Sequence, residues 1–314
     1  MGDLMIKIVF MGTPDFSVPV LKGLIENNNY EVVGVVSQPD KKVGRKQILT
    51  PSKISQVALD NNITLLRPEK LRKSYEEVLA LNPDMIVTCA YGQIVPKEIL
   101  DFPKYGCINV HASLLPKYRG GAPIHRSIMN GEKETGITIM YMNEGLDTGD
   151  IITQEVVPIE LVDTTETMHD KLSIVGRNLL LKTIPDIIEG KINRIKQNDE
   201  ESTYASNISR EDEYIDFNEE TKKIYDKVRG LNSFPVAFTN LDNKIYKIYS
   251  GRISTSNKGT PGEIINIYKD GIGVRTKDGE YIITELKEEG KKRLSAKEYL
   301  NGKKKEELIG KRFE

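Results

Sequence analysis

Asn109 and His111 stand two residues apart at the end of a short apolar run, Cys107-Ile108-Asn109-Val110-His111. Residues two apart on a β-strand share a face. An amide and an imidazole therefore project together from the strand end, where open α/β sheets place their ligands. A carboxylate, Asp147, lies in the glycine-flanked stretch Glu144-Gly145-Leu146-Asp147-Thr148-Gly149 and can bend back toward them. Side-chain donors aimed at one point can stabilise a developing oxyanion, typically by roughly 3–4 kcal/mol per donor. A carboxylate beside the imidazole orients it, favours its charged form and can accept a proton through water.

Other readings compete for the same residues. Cys107 shares the face of Asn109 and His111, which allows a Cys/His/Asp nucleophile. It lies deeper in the strand, away from the open end, and covalent catalysis is disfavoured on that ground. His111, His125 and Asp147 are potential metal ligands, but no two have ligand spacing on one element, and no metal is expected. Taken alone, His111 also reads as a satisfied structural histidine.

These groups need a scaffold. Residues 6–11 form an apolar strand, 12–17 a turn, and Val20, Leu21, Leu24 and Ile25 recur at helical spacing. Residues 31–36 form a second strand. Strand, helix, strand with continuously apolar strands predicts a parallel sheet covered on both faces. The turn holds a single glycine, unlike a dinucleotide site. Further strands are expected at 84–89, 135–142 and 151–158, and helices at 75–81 and 165–190. The longer helix carries Met168, Leu172, Val175, Leu179 and Leu180 on its apolar face. After the 84–89 strand, Tyr91-Gly92-Gln93-Ile94 suits a flat heterocycle; an ordinary connection explains it equally well. Residues 37–47 make a long polar loop with Lys41, Lys42, Arg45 and Lys46. Long loops tend to be functional or disordered, and a solvated surface loop is the plainer reading.

Composition bounds the class. A chain of 314 residues suggests about two domains. Its 38% hydrophobic and 29% charged content fits a soluble globular protein. The net charge of −1 shows no bulk basicity toward nucleic acid, although a neutral total can hide a basic face. Cys89 and Cys107 lie in apolar strands, as core thiols of a reducing compartment do. No run approaches the ~20 apolar residues of a membrane span. The N-terminus lacks an apolar segment followed by a cleavage site, so a cytoplasmic location is expected. Residues 193–206 are polar and aperiodic. Beyond them come a short helix around 219–231 and short β-type runs at 237–239, 244–249, 262–267, 273–276 and 281–286, the pattern of a small OB-like barrel. Residues 207–314 hold 22 Lys and Arg against 19 Asp and Glu, so the basic excess lies in this last third of the chain.

Asn109-x-His111, the run Ser113-Leu114-Leu115-Pro116-Lys117-Tyr118-Arg119-Gly120-Gly121-Ala122-Pro123-Ile124 and the later Asp147-Thr148-Gly149 resemble the folate-dependent formyltransferases. These move a formyl group from 10-formyltetrahydrofolate to an amine. The resemblance covers essentially the whole chain and is most specific over residues 113–124. It implies an α/β fold with a doubly wound, mostly parallel Rossmann-like sheet in a catalytic domain over 1–192. A linker over 193–206 and an OB-like tRNA-binding domain over 207–314 would follow. Asn109, His111 and Asp147 become the catalytic residues. Ser113, Leu114, Leu115 and Pro116, with Tyr91, Gly92, Gln93 and Ile94, become the folate contacts. Arg45 matches a critical arginine of a tRNA-wedging loop, and Lys41, Lys42 and Lys46 flank it.

The acceptor implied is methionyl initiator tRNA, with no membrane and no obligate protein partner. Two departures stand out: tryptophans usual near Phe217 and Phe234 are missing, and His125 stands where Gln is frequent. A small-amine acceptor, such as glycinamide ribonucleotide or an amino sugar nucleotide, would use the same three polar residues. It would leave the Arg45 loop and the second domain without a task, as would hydrolysis of 10-formyltetrahydrofolate. A non-catalytic tRNA-binding module is a third reading, and the joint presence of Asn109, His111 and Asp147 weighs against it.

Overall fold

The computed structural model describes residues 5–44 and 46–314. In chain order the first part holds β1 (Ile6–Gly12), α1 (Val18–Ile25), β2 (Tyr30–Val36), β3 (Lys41–Val43), β4 (Ile48–Thr50), α2 (Lys53–Asp60) and β5 (Leu65–Leu66). Then come α3 (Tyr75–Leu79), β6 (Met85–Cys89), α4 (Lys97–Leu100), β7 (Cys107–His111), α5 (Pro123–Met129), β8 (Glu134–Tyr141), β9 (Ile151–Pro158) and α6 (Thr165–Ile188). Seven strands form one sheet in the order β5-β2-β1-β6-β7-β8-β9. The first five are parallel, and β8 runs antiparallel to β7. From β1 the chain winds outward through β2 and β5, then returns to build β6 and β7 on the other side. That reversal creates a crevice at the carboxyl ends of the strands.

The central strands form because they are apolar on both faces. Ile8, Val9, Phe10 and Met11 of β1 and Met85, Ile86 and Val87 of β6 are fully buried. On β7 the two faces divide the work. An added Cβ on Gly176 of α6 would sit 2.9 Å from Val110 Cγ1, so α6 lies tight against that face. Asn109 and His111 alternate to the opposite face.

Two stretches differ from the sequence reading. The long polar loop contains a short hairpin, with Lys41 opposite Thr50, Lys42 opposite Leu49 and Val43 opposite Ile48. Lysines in two of three strand positions hide its β character. Residues 193–206, expected as a linker, pack within the first compact unit, which comprises the described residues up to Pro123 with Thr135–Pro158 and His169–Ser206. Ile195 bridges Ile151, and Gln197 and Ala205 are buried. The stretch lacks periodicity because, beyond the single Ile195 bridge to β9, its hydrogen bonds go to loops rather than to a regular partner.

The second unit comprises Ile124–Glu134, Ile159–Met168 and Asn207–Glu314, so the units are not contiguous in sequence. Hydrogen bonds explain why the two early segments join it. Arg126 grips Asp212 at 2.7 and 2.9 Å, Arg229 donates to the Asp163 carbonyl at 3.0 Å, and Thr165 donates to the Gly230 carbonyl at 2.6 Å. Here α7 (Thr221–Gly230) precedes β10 (Ala237–Leu241), β11 (Lys244–Ser254), β12 (Ile264–Ile267), β13 (Ile272–Arg275), β14 (Glu280–Glu288), β15 (Leu294–Ser295) and α8 (Ala296–Leu300). The antiparallel order is β10-β11-β14-β13-β12, with β15 on β14. The chain's last residues span the gap between the edge strands. Lys311 accepts from Ile264 N, Phe313 donates to Gly262 O, and Glu314 exchanges backbone bonds with Asn240. Phe313 thereby enters a core with Phe217, Tyr246 and Tyr299, and the sheet curls into a barrel-like closure.

Candidate active site

β7 positions the amide and the imidazole. Thr88, opposite Asn109 on β6, donates its hydroxyl to Asn109 Oδ1 at 2.8 Å. That bond turns the Asn109 amide so that Nδ2, the donor end, has no partner among the described residues. His111 is buried, and its Nε2 lies 2.9 Å from the Tyr118 carbonyl. A carbonyl only accepts, so Nε2 carries the proton and Nδ1 is the nitrogen that faces Asp147. Nδ1 lies 3.7 Å from Asp147 Oδ2. The same Oδ2 accepts from Gly120 N at 2.8 Å, which leaves Oδ1 of this carboxylate available. Asn109, His111 and Asp147 thus gather at the end of β7, by a route that strand periodicity does not reveal. β8 ends at Tyr141, opposite Ile108, and the 142–149 loop must fold back to bring Asp147 to His111.

The backbone around the site is strained. Ala90, Tyr118 and Asp147 are non-glycine residues with φ of 50°, 60° and 51°. Each typically costs about 1–3 kcal/mol and persists only where its surroundings over-determine it. Those surroundings are visible. Thr138 of β8 donates to the Ser113 carbonyl at 2.6 Å and accepts from Leu115 N at 3.1 Å. Gln154 of β9 donates to the Leu115 carbonyl and to Thr138, each at 2.9 Å. Arg119, 1% exposed, donates to Gln197 Oε1 at 2.9 and 3.0 Å, and Gln197 Nε2 donates to the carbonyls of Asp147 and Gly149 at 2.8 and 2.7 Å. Thr88, Arg119, Thr138, Gln154 and Gln197 are absent from the sequence-derived site. Only Arg119 carries a sequence signal, as one of two cations, with Lys117, inside the 113–124 motif.

The expected folate contacts divide into two layers. Ser113 and Leu115 are buried, and the Ser113 hydroxyl donates to the Lys117 carbonyl at 2.7 Å. Gln93 bonds Leu71 N and the Pro68 carbonyl. Tyr91 is buried, its hydroxyl has no partner among the described residues, and burial pushes its pKa up to about 12. Leu114 and Pro116 keep part of their surface, Gly92 is open, and Ile94 is 88% exposed. Lys41, Lys42 and Lys46 are exposed on the hairpin and its turn; Arg45 lies outside the described residues. His125, on α5, donates from Nε2 to the Phe234 carbonyl at 3.1 Å. Cys107 is buried, and desolvation pushes its thiol up to about 12, far from a nucleophilic thiolate.

Solved structures share the fold. HypX from Aquifex aeolicus matches with a TM-score of 0.67 at 18% identity over 96% of this chain, which spans about half (49%) of HypX. A methionyl-tRNA formyltransferase from Clostridium thermocellum matches with a TM-score of 0.56 at 23% identity, covering 81% of this chain and 96% of that one. Residues 6–184 match the formyl transferase family, and residues 207–304 match the formyl transferase C-terminal domain. A methionyl-tRNA formyltransferase of Bacillus cereus (strain G9842) is 55% identical over 306 residues, 96% of this chain and 97% of the relative. The chain belongs to the formyl transferase family of enzymes and, within it, to the methionyl-tRNA formyltransferases.

Proposed function

We propose that this protein carries the formyl group of 10-formyltetrahydrofolate to the free amino group of methionyl initiator tRNA, in the cytoplasm. The observation that carries the reading is the Asn109, His111 and Asp147 constellation in a chain of this family. Exposed Ile94 and open Gly92, whose backbone a ligand edge can approach, fit a flat heterocycle. Leu114 and Pro116 extend that surface, and Ser113, Leu115 and Gln93 hold its shape from behind. When bound, 10-formyltetrahydrofolate would supply the formyl carbon, and the proton shed by the attacking amine would end on the folate nitrogen released when its bond to that carbon breaks.

Asn109 Nδ2 donates to the oxyanion that forms when the amine attacks. His111 Nδ1, once protonated, is the second donor. Each such donor typically contributes roughly 3–4 kcal/mol to the transition state. Asp147 Oδ1 takes, through water, the proton that the amine sheds. An α-amino group has a reference pKa of about 7.7–8.0, so a weak base suffices. Lys41, Lys42 and Lys46, with Arg45, hold the acceptor arm of the tRNA, and the second unit supplies further contact.

The test is a transfer assay with purified protein and 10-formyltetrahydrofolate. Methionyl initiator tRNA, glycinamide ribonucleotide and an amino sugar nucleotide are offered separately. Formyl is expected on the tRNA; formyl on a small amine alone would overturn the acceptor and both RNA-facing assignments.

A further inference from the structure

We propose that Gln197 is a positioning residue for the transfer, acting through Asp147, and that Arg119 holds it in place. The inference rests on the reading that Asp147 takes part in the reaction. Gln197 is buried and uses both ends of its amide. Nε2 donates to the Asp147 and Gly149 carbonyls at 2.8 and 2.7 Å, and Oε1 accepts from Arg119 Nε and Nη2 at 3.0 and 2.9 Å. Among the described residues, these carbonyls receive hydrogen bonds from Gln197 alone.

The loop needs such a clamp. Asp147 sits at φ 51° on a segment whose residues Asn143 to Leu146 are exposed. Its carboxylate reaches His111 only at 3.7 Å. On the other side of Arg119 the stretch is equally tied. Arg119 N donates to the Thr203 carbonyl at 2.9 Å, Ala205 N donates to the Arg119 carbonyl at 2.7 Å, and Tyr118 N donates to Thr203 Oγ1 at 2.9 Å. The Tyr118 carbonyl is the group that fixes the His111 tautomer. One strap, residues 197–205, therefore sets both the Asp147 backbone and the peptide that orients His111. Misplacement of a reacting group by about 1 Å commonly costs on the order of 100-fold in rate.

A merely structural Gln197 would only satisfy the buried Arg119 guanidinium. Gln197→Glu separates the roles. A carboxylate of the same shape accepts from Arg119 through stronger, charge-assisted bonds, but it cannot donate to the two loop carbonyls. Single-turnover formylation at saturating donor and methionyl initiator tRNA is measured for wild type, Gln197→Glu, Asp147→Asn and the double variant. The expected result is a roughly 10- to 100-fold loss for Gln197→Glu in the wild-type background and less than about 3-fold further loss in Asp147→Asn, because coupled groups are not additive. Should the Glu variant fail to fold, Gln197→Asn serves instead: it keeps the amide but is too short to span Arg119 and the loop. Asp199→Asn, which alters only the exposed cap on Arg119, is expected within about 2-fold of wild type. A near-wild-type rate for the Gln197 variants, or an equal fold-loss in both backgrounds, overturns the inference. Full turnover by Asp147→Asn would overturn the functional reading instead.

Discussion

The strand-end site and the basic hairpin are held in opposite ways. Asn109, His111 and Asp147 each receive or give a hydrogen bond that fixes their orientation, and the groups that hold them are themselves bonded or buried. On the hairpin, Lys41, Lys42 and Lys46 are exposed, and the side-chain bonds are local: Gln47 to the Gly44 carbonyl and Thr50 to the Ile48 carbonyl. Val43, Ile48 and Leu49 are exposed as well. A reaction that stabilises a transient charge needs donors already in place, since reorganisation at the moment of reaction would cancel their benefit. A surface that grips a polyanion gains from charge and adaptability, and takes its final geometry from the partner.

The contrast predicts its largest effects at the strand end. Asn109→Ala and His111→Ala should each lower kcat by roughly 100- to 1,000-fold while leaving the KM for tRNA near its original value. Steady-state kinetics with purified variants reads both numbers, and full turnover by either variant breaks the comparison at its stronger side.

Glycines in the two regions sharpen it. Gly120 has φ 119°, and a Cβ there would meet the Ala205 carbonyl at 2.8 Å. Gly44, in the hairpin turn, has φ 72° and, its chain neighbours aside, no heavy atom of the described residues lies within 4 Å of the added carbon. Gly120→Ala therefore adds a steric clash to the strain and disturbs the bond to Asp147. It should cost about 1–3 kcal/mol or more in denaturant melts and reduce turnover. Gly44→Ala should carry the strain alone and leave turnover at saturating tRNA unchanged. Equal losses from the two substitutions would contradict the difference in packing.

For the hairpin, the combined Lys41→Ala, Lys42→Ala and Lys46→Ala variant should keep its stability and its kcat. Its KM for tRNA should rise, and the salt dependence of binding should flatten by up to about three phosphate contacts. Arg45→Ala should likewise weaken tRNA formylation with folate affinity retained. A fall in folate affinity to match would place these cations at the wrong substrate.

The same contrast governs what was legible in the sequence. β1 and β6 stand out because both faces are buried, so their runs are nearly all apolar, and β7 because Cys107, Ile108 and Val110 frame its polar residues. Asn109 and His111 follow from period two on such a strand. The hairpin does not stand out, since exposed strands need no apolar pattern and lysines obscure it. The strap over residues 197–205 is still less visible, because Gln197, Thr203 and Ala205 bond to loop backbones whose positions only the fold defines. Arg119 reads as surface by residue type; the buried acceptor that lets it sit inside is Gln197, far along the chain. The tail that closes the second sheet escapes for a similar reason: Arg312, Phe313 and Glu314 have no strand-like length, and their pairing with Gly262, Glu263 and Asn240 is set by the curl of the sheet.

Cys107 supplies the smallest expected effect and the closest control for the site. It shares a strand and a face with Asn109, two residues nearer the strand's start. If proximity in sequence and a common face were enough, it would matter to the chemistry. Its surroundings say otherwise: it is buried, desolvation pushes its thiol up to about 12, and the thiol donates to the Met142 sulfur at 3.5 Å. A thiol in that range is essentially uncharged near neutral pH and lacks a base to activate it. Cys107→Ala should therefore leave kcat within about 3-fold of wild type, while the small cavity lowers stability by about 1 kcal/mol. A loss approaching that of Asn109→Ala, in a variant that melts normally, would mean that the chemistry extends into the strand and that hydrogen-bonded orientation is not what separates catalytic from structural residues on β7.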